Sequence, residues 1–314
     1  MLFYIAKRIV LAIPVVIAVA LVCFMLVHIA PGDPLVSVLP PDASQDLAEQ
    51  MRKAYGFDRP LPVQFGMWVW NALHGNLGTS IASGRSVTEE VGRAVGNTLR
   101  LALLASLIGF FFGLLFGILA GYFRDRWIDK LVTVISIAGV STPHYWLGMV
   151  LVIFFSVIWE LLPAVGAGPG GWAWDWEHFK YMILPAVTMS VIPMGIVSRT
   201  VRALVGDLLS QEFVLALRSK GLSEVRVFRH VLKNAAPTGI AVMGLQLGYL
   251  LGGSILIETV FSWPGTGFLL NSAIFQRDLP LLQGTILVLA LFFVVLNLLV
   301  DVLQAAIDPR IKRA

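Results

Sequence analysis

The stretch LALLASLIGFFFGLLFGILAGYF, Leu101–Phe123, contains no Asp, Glu, Lys or Arg. A helix needs about 20 apolar residues to cross the hydrocarbon core of a bilayer, and this stretch is long enough. The rest of the chain has the same character, because 57% of its 314 residues are hydrophobic and only 13% are charged. Soluble domains carry roughly 25% charged residues. The sequence therefore predicts an all-α polytopic membrane protein.

Six segments of the chain, including this one, are long and apolar enough to span a membrane. The third contains STPHYWLG, Ser141–Gly148, and is too long for one straight span. Pro143 removes a helical hydrogen bond and is expected to kink or break it, so seven spans, with a division at Pro143, remain an alternative. The six predicted spans are Ile9–Ala30, Leu101–Phe123, Leu131–Trp159, Tyr181–Ser198, Ala235–Ile257 and Leu281–Val300.

The distribution of Lys and Arg predicts the orientation, because cytoplasmic loops of membrane proteins are enriched in basic residues. With the N-terminus inside, 15 of the 23 basic residues fall on cytoplasmic pieces. Both termini are therefore predicted to be cytoplasmic. The 15 residues are Lys7, Arg8, Arg124, Arg126, Lys130, Arg199, Arg202, Arg218, Lys220, Arg226, Arg229, Lys233, Arg310, Lys312 and Arg313.

The first apolar segment resembles a signal peptide in beginning after Lys7 and Arg8. It is longer than the 7–15 residues of a signal-peptide core, and no small-x-small cleavage site lies at its end. A retained first span is the preferred interpretation. The single cysteine, Cys23, lies inside this segment, so no disulfide within the chain is expected.

Two loops are predicted outside the membrane. The longer one, residues 31–97, includes DASQDLAEQMRKAYG, a helical pattern that Asp42 or Ser44 can cap and Gly56 can end. The second, Leu161–Lys180, carries three tryptophans, which are typical of the aromatic belt at a membrane surface. A ligand-stacking role for these tryptophans remains an alternative.

Several motifs of soluble chemistry are missing or misplaced. GAGPGG, Gly166–Gly171, fits G-x-G-x-x-G, but a membrane span precedes it where a nucleotide site needs a strand. The chain has neither G-x-x-x-x-G-K-[ST] nor H-E-x-x-H, so no enzymatic activity, bound cofactor or metal is expected. His28 and His144 are interpreted as structural residues. Glu258 and Asp301 lie at span ends and are weak indicators of proton coupling.

The stretch ALRSKGLSEVRVFRHVLKNAAP, Ala216–Pro237, concentrates basic residues in the predicted cytoplasmic segment 199–234. Gly221 allows the positive φ of a helix end, and Ser223 can cap the next helix, so a helix, a tight turn and a second helix are predicted. Contact with membrane lipid, DNA or a groove on a protein would fit this shape. No nucleic-acid partner is expected, because only about 36 residues separate the two spans, and contact with lipid alone would not need the glycine turn. The predicted apolar stripe is Val214, Leu217, Val225, Phe228 and Val231/Leu232.

This stretch resembles the EAA loop of bacterial ABC-importer permeases, E-A-A-x-x-x-G followed by I-x-L-P. Ala216 and Gly221 match, whereas Leu215 and Leu217 stand where the motif has Glu and Ala, and no Leu-Pro pair follows. ALRSKGL is closer to the A-R-A-K-G-L of the peptide-importer branch. The strings YIAKRIVLAIPVVI, HIAPGDP, GNLGTS, ETVFSWPGTG, RDLPLLQG, NLLVD and IDPRIK also resemble the dipeptide/oligopeptide/nickel permease family, of the peptide-permease B-subunit type, in the right order over the chain.

The resemblance implies a type I ABC-importer permease fold, with residues 1–314 forming one transmembrane domain in the bacterial inner membrane. It implies a paralogous permease, two ABC ATPases that bind ATP and Mg, and an extracytoplasmic substrate-binding protein as partners. Pro143 and His144 are expected at the pathway or its kink. The resemblance assigns coupling to the ATPases to Ala216, Arg218, Lys220, Gly221, Leu222 and Ser223.

Two functions of other classes remain as alternatives. A stand-alone secondary transporter or channel would need its own coupling-ion site, and a membrane receptor would use the long outer loop as its sensor. The family transports dipeptides, longer peptides, glutathione, nickel chelates and some sugars or opines. The sequence does not distinguish among these substrates, because the binding protein supplies much of the selectivity.

Overall fold

The computed structural model describes residues 2–29, 44–54, 58–170, 173, 175–252 and 255–307. These residues form helices without a strand, apart from one isolated bridge between Thr79 and Ser86. The all-α prediction is therefore confirmed. The helices are α1 (Leu2–Ile29), α2 (Gln45–Ala54), α3 (Leu61–Leu73), α4 (Val87–Tyr122), α5 (Trp127–Ser141), α6 (His144–Val152), α7 (Trp176–Leu209), α8 (Glu212–Ser219), α9 (Glu224–Gly252), α10 (Ile255–Val260), α11 (Thr266–Gln276) and α12 (Leu279–Ile307).

Three of the described helices are long and apolar enough to cross a membrane alone: α4, α7 and the Leu279–Val300 part of α12. The pair formed by α5 with the helix after Pro143 adds a fourth candidate. Four of the six predicted spans therefore meet this criterion. The other two lie on α1, whose Val10–Met25 part is a shorter apolar helix, and on α9. The total of six remains a prediction.

The third predicted span is broken at Pro143, as the sequence indicates. Helix α5 ends at Ser141, α6 begins at His144 and continues as a π-helical turn over Ile153–Ile158, and the two parts are bent by 97°. Thr142 is extended, with φ −81° and ψ 128°, because the ring of a following proline disfavours the helical conformation. This geometry fits either a broken span or a re-entrant loop.

The chain divides into two compact units. One contains mainly Leu99–Trp263, with a C-terminal part from Leu296, and the other contains Ile5–Thr98 and Pro264–Val295. The prediction of one transmembrane domain stays a prediction.

The first unit is organised around close contacts between α4 and α7. Four glycines of α4, one per helical turn, lie where an added Cβ would be only 2.7–2.9 Å from carbonyl oxygens or valine side chains of α7. Small residues at four-residue spacing let membrane helices approach until their backbones touch. Helix α7 packs on α5 in the same way, since a Cβ on Gly195 would lie 2.8 Å from the carbonyl oxygen of Ser136. The four glycines, here called the glycine seam, are Gly109, Gly113, Gly117 and Gly121.

The second unit has its own core. Buried Leu77, Val87, Val91 and Leu281 form part of one apolar cluster, against which Phe65 and other half-buried residues pack. In the same unit, the ring of Phe65 on α3 lies 5.3 Å from that of Phe24 on α1. Helix α3 is therefore held against α1 within this unit.

The predicted outer loop 31–97 is partly helical. It contains α2, α3 and the first turns of α4, which begins at Val87. Ser44 lies before α2, where its Oγ accepts a hydrogen bond from the Leu47 amide at 3.3 Å, as the capping prediction expects. Residues 166–170 of GAGPGG lie in an irregular segment before α7, as interpreted from the sequence, and Gly171 lies outside the described residues. Predictions about Asp42, Gly56, Trp172 and Trp174 lie outside the described residues, as do those about the side chains of His28 and Asp301.

Candidate functional site

The basic stretch forms the helix–turn–helix that the sequence predicts. Helix α8 ends at Ser219, and α9 begins at Glu224. Gly221 between them has φ +75°, a conformation that costs little only for glycine. The Leu222 amide donates to the Leu217 carbonyl at 3.3 Å, and the Gly221 amide donates to the Arg218 carbonyl at 2.9 Å. This pair of hydrogen bonds is the Schellman arrangement of a helix end, so the turn has a defined shape.

An ion pair closes the same turn. The Arg218 guanidinium donates from Nε to Glu224 Oε1 at 2.8 Å and from Nη2 to Oε2 at 3.0 Å. These hydrogen bonds hold the pKa of the Glu224 carboxyl below its ordinary value of 4.5. The only acid in Ala216–Pro237 thus binds one of its basic residues and joins the end of α8 to the start of α9.

The turn rests on a base of buried valines. Val214 of α8 and Val227 and Val231 of α9 are buried in one cluster with Val201 and Val205 of α7. Helix α4 also contributes, since the ring of Tyr122 lies 5.4 Å from that of Phe228. The exposed turn is therefore fixed to α4 and α7 by an apolar contact, which excludes water from the base of the segment.

The predicted apolar stripe is wrong at one position. Val225 is 80% exposed, whereas Val227, which was not assigned to the stripe, is fully buried. The break at Gly221 makes α8 and α9 separate helices. The three- and four-residue spacing of apolar residues on α8 therefore does not predict which face of α9 is buried. Contact with α7 selects the face of α9 that contains Val227 and Val231.

The predicted coupling residues lie together on the outside of this base. Ala216, Arg218, Lys220, Gly221 and Ser223 are exposed, and Leu222 is half-buried against the valine cluster. The Ser223 carbonyl accepts hydrogen bonds from the Arg226 and Val227 amides, while capping by its side chain stays a prediction.

Four cations project from the segment. Each is exposed and makes no ion pair with a residue in the described part of the chain. The sequence correctly indicates that the basic residues of α9 lie off the apolar face. The four are Lys220, Arg226, Arg229 and Lys233.

A buried ion pair lies near the segment and was not foreseen from the sequence. The Asp129 carboxylate, 2% exposed, accepts hydrogen bonds from Nε and Nη2 of Arg202, the latter at 2.7 Å. It also accepts from the Asp125 amide at 2.9 Å. The pair joins the start of α5 to the last part of α7, shortly before α8. No spacing pattern connects positions 129 and 202, so only the three-dimensional fold reveals it.

Pro143 and His144, the predicted pathway or kink residues, are not near the turn in sequence and belong to the break between α5 and α6. The His144 side chain is half-buried and lines a cavity of about 10 Å³ with Met189, Ile192, Tyr249, Leu250 and Ile257. A cavity of this size has room for about one water molecule at most. This environment fits the structural interpretation of His144.

Comparison with known proteins gives the family. Residues 113–313 match the family described as binding-protein-dependent transport system inner membrane component, and residues 1–86 match the family that describes the N-terminal part of the membrane component of such systems. The chain is 40% identical to the glutathione transport system permease protein GsiC of Escherichia coli (strain K12) and 39% identical to that of Salmonella typhimurium (strain LT2). Each match spans 313 residues, 99% of both chains.

A solved structure supports the fold. The inward-facing MetNI methionine ABC transporter matches with a TM-score of 0.57 and 19% identity, over 69% of this chain and 96% of that chain. At this identity the likeness shows the type I importer permease fold alone. The chain belongs to the binding-protein-dependent transport system inner membrane component family and is a multi-pass permease subunit of an ABC importer, whose ATPase activity lies in separate subunits.

Proposed function

We propose that this permease imports short peptides or similar small solutes and that Ala216–Ser223 is its coupling element to the ATPases. The observation that carries the coupling proposal is the exposed basic turn on a buried valine base. The relatives named as glutathione permeases, 39–40% identical over the whole length, support a peptide-like substrate.

An importer permease of this family works with another permease, ATPases and a binding protein. The finer composition belongs to the proposal: a paralogous permease forms a heterodimer with this chain, and two ABC ATPases bind ATP and Mg beneath it. An extracytoplasmic binding protein delivers the solute, and both termini are cytoplasmic. Family membership also argues against the alternative of a stand-alone transporter, because an importer of this kind obtains its energy from ATPases.

In the proposed mechanism, closure of the ATPase dimer on ATP moves the docked turn. The Schellman hydrogen bonds and the Arg218–Glu224 pair keep the turn rigid. Val227 and Val231 transmit the movement to α7, and Arg202 connects α7 to α5 through Asp129. Helix α5 ends at the break before Pro143, the proposed pathway segment. ATP must favour one arrangement by a few kcal/mol to shift the population.

The four exposed cations Lys220, Arg226, Arg229 and Lys233 are assigned to the ATPase contact. Cations at the rim of an interface mainly speed association and fix the register of the partners. Neutralising Arg226 and Arg229 together is expected to slow ATPase association at low salt and to reduce its salt dependence. Arg218 is excluded from this group, because Glu224 already pairs with it.

The coupling proposal is tested by the pair Gly221→Val and Gly221→Asn in the reconstituted importer. A β-branched residue at φ +75° is strained, whereas asparagine tolerates this region. We expect Gly221→Val to insert normally but to lose most ATPase docking and transport, and Gly221→Asn to retain most of both. Full docking and transport by Gly221→Val would contradict the assignment.

The orientation is tested by cysteine labelling in intact cells. A cysteine replacing Ser44 is expected to react with a membrane-impermeant maleimide, and one replacing Ser223 is expected to react only after the membrane is opened. The opposite labelling pattern would reverse the proposed topology.

A further inference from the structure

The second unit contains an open cleft of about 370 Å³ that the coupling proposal does not use. Its walls are the segment 80–85, the first turns of α4 and one face of α11. Small-molecule sites typically have volumes of about 300–1,000 Å³, with mostly apolar walls and a few placed polar groups. Apolar side chains of Ala94, Phe268 and Leu269 line this cleft beside charged Arg85, Glu90 and Arg93.

One wall is fixed by a fully buried carboxylate. Asp278, 0% exposed, accepts hydrogen bonds from Ser80 Oγ at 2.5 Å, from the Ala82 amide at 3.1 Å and from the Leu281 amide at 3.1 Å. A buried carboxylate is tolerated when such donors satisfy it. Asp278 therefore ties the segment that contains Ser80 to the junction of α11 and α12.

The opposite wall is fixed by buried hydroxyl and amide groups. Thr98 Oγ1 lies 3.0 Å from Thr266 Oγ1 and accepts a hydrogen bond from the Thr266 amide at 2.8 Å. Asn97 Nδ2 donates to the Pro264 carbonyl at 2.9 Å. These contacts hold α4 against the start of α11. The cleft is consequently pre-formed, and a ligand would not have to order its walls.

The charged residues that line the cleft have both signs. Arg85 is exposed and pairs with no acid among the residues that the structure describes. Glu90 accepts a hydrogen bond from Ser83 Oγ at 2.9 Å, but no cation in the described ranges pairs with it. Arg93 is already paired with Glu89 at 3.5 Å. Among the residues that the structure describes, Arg85 and Glu90 on the walls of the cleft thus have no ion-pair partner.

We propose that this cleft binds the zwitterionic ends of a short peptide or amino acid. Arg85 receives the carboxylate, Glu90 receives the ammonium group, and Phe268 and Leu269 contact an apolar side chain. The inference rests on the proposed function for the substrate class. The predicted topology places both cleft walls on the outer side, where a solute released by a binding protein would arrive.

The charge balance distinguishes this ligand from other classes. A site for phosphate or another simple anion would gather several unpaired cations, whereas here the two free charges have opposite sign. A docked protein would have to place one acidic and one basic side chain at these two positions, whereas a short peptide carries both charges at its own ends. A zwitterion satisfies both groups at once and leaves neither charge without a partner.

The test uses the complete complex, with the partner permease and ATPases, in nanodiscs and without binding protein. The probe is L-alanyl-L-alanine, and its binding is measured by saturation-transfer NMR and calorimetry. We expect Arg85→Gln and Glu90→Gln each to weaken binding by at least about tenfold. The matched control is Arg59→Gln, which removes an exposed arginine of the same unit outside the cleft and is expected to leave binding unchanged.

Capped probes assign each charge. N-acetyl-alanyl-alanine lacks the ammonium group and is expected to bind weakly to the unaltered complex. Glu90→Gln should weaken the binding of this probe little further, because the group that Glu90 receives is absent. Arg85→Gln should still weaken its binding, because the carboxylate is present. Alanyl-alanine amide lacks the carboxylate and is expected to show the reverse pattern. If the unaltered complex does not bind alanyl-alanine, or if the capped probes bind equally well to every variant, the inference is wrong.

Two outcomes separate this inference from the proposed function. A second assay adds the binding protein to the same complexes and measures ATPase activity. If the variants bind alanyl-alanine normally but are no longer stimulated in this assay, the cleft receives the binding protein instead, which overturns the inference. If the complex imports peptides and every cleft variant binds alanyl-alanine as tightly as the unaltered complex does, the inference fails while the transport proposal stands. If binding follows the expected pattern but ATP drives no import, the coupling proposal is the part that fails.

Discussion

The glycine seam and the coupling turn use glycine for opposite physical reasons. In the seam, a Cβ on Gly117 would lie 2.7 Å from the Ser198 carbonyl oxygen and from Val201 Cβ, so the requirement is for space. At Gly221 an added Cβ would meet nothing within 4 Å, and the requirement is for the backbone angle φ +75°. Substitution in the seam should therefore disrupt folding, while substitution in the turn should disrupt function in a protein that still folds.

The largest expected effect comes from Gly117→Leu in the seam. The added side chain cannot fit between backbones in contact, and even modest overpacking costs about 1–3 kcal/mol. We expect little folded permease after detergent extraction, measured as the monodisperse fraction by fluorescence-detected size exclusion. The matched control is Gly92→Ala on the same helix, where a Cβ meets no atom within 4 Å. It should be neutral or slightly stabilising, because alanine favours helix over glycine by about 1 kcal/mol. Equal yields of the two variants would contradict a close-packed seam.

The next effect is expected from the buried ion pair. Asp129→Ala leaves the Arg202 guanidinium without the carboxylate that it binds at 2.7 Å. Removing one partner of a buried ion pair lowers the free energy of unfolding by about 3–5 kcal/mol. Because Arg202 is partly exposed, we expect a loss at or below the lower end of this range. We expect a clearly lower midpoint of thermal unfolding. An unchanged midpoint would show that α5 and α7 do not depend on this contact.

The coupling turn is expected to tolerate a substitution at Gly221 without loss of the fold. Gly221→Val should lower the thermal midpoint of the isolated permease far less than Gly117→Leu does, because the strain falls on an exposed turn where an added Cβ meets no atom within 4 Å. The same preparation should lose ATPase binding. Loss of folded protein similar to that of Gly117→Leu would mean that the turn supports the fold and that the contrast is wrong.

The smallest expected effect is the pH dependence of the turn. Since the folded pKa of Glu224 is below its ordinary value of 4.5, its pair with Arg218 contributes above that value and is lost as the pH falls through the folded pKa. A spin label at Ser219→Cys in a Cys23→Ser background should become more mobile between pH 7 and pH values below the folded pKa. In Glu224→Gln the label should already be mobile at pH 7 and should change little. Identical profiles would show that the pair does not order α8.

Local chemistry explains what could be predicted from the sequence. The break at Pro143 and the positive φ at Gly221 follow from covalent geometry at single residues, and both predictions are confirmed. The burial of Val227 and the Asp129–Arg202 pair depend on how α7 meets α9 and α5. No single-sequence pattern contains the relative rotation of two helices, so the phase of α9 and the ion pair required the structure.

The glycine seam also restricts how this unit can move. The backbones of α4 and α7 are in contact at four successive glycines. The two helices cannot slide along each other without breaking these contacts, so we expect α4 and α7 to move together as one rigid body. Any rearrangement that opens or closes a pathway has to use another degree of freedom. The break between α5 and α6, bent by 97°, is such a place, because the Pro143 nitrogen has no hydrogen with which to bridge it. The proline ring fixes the φ of Pro143 itself, so a change in the bend falls on the other backbone torsions beside it. The backbone torsions at this break are therefore where we expect the inward-facing and outward-facing states to differ.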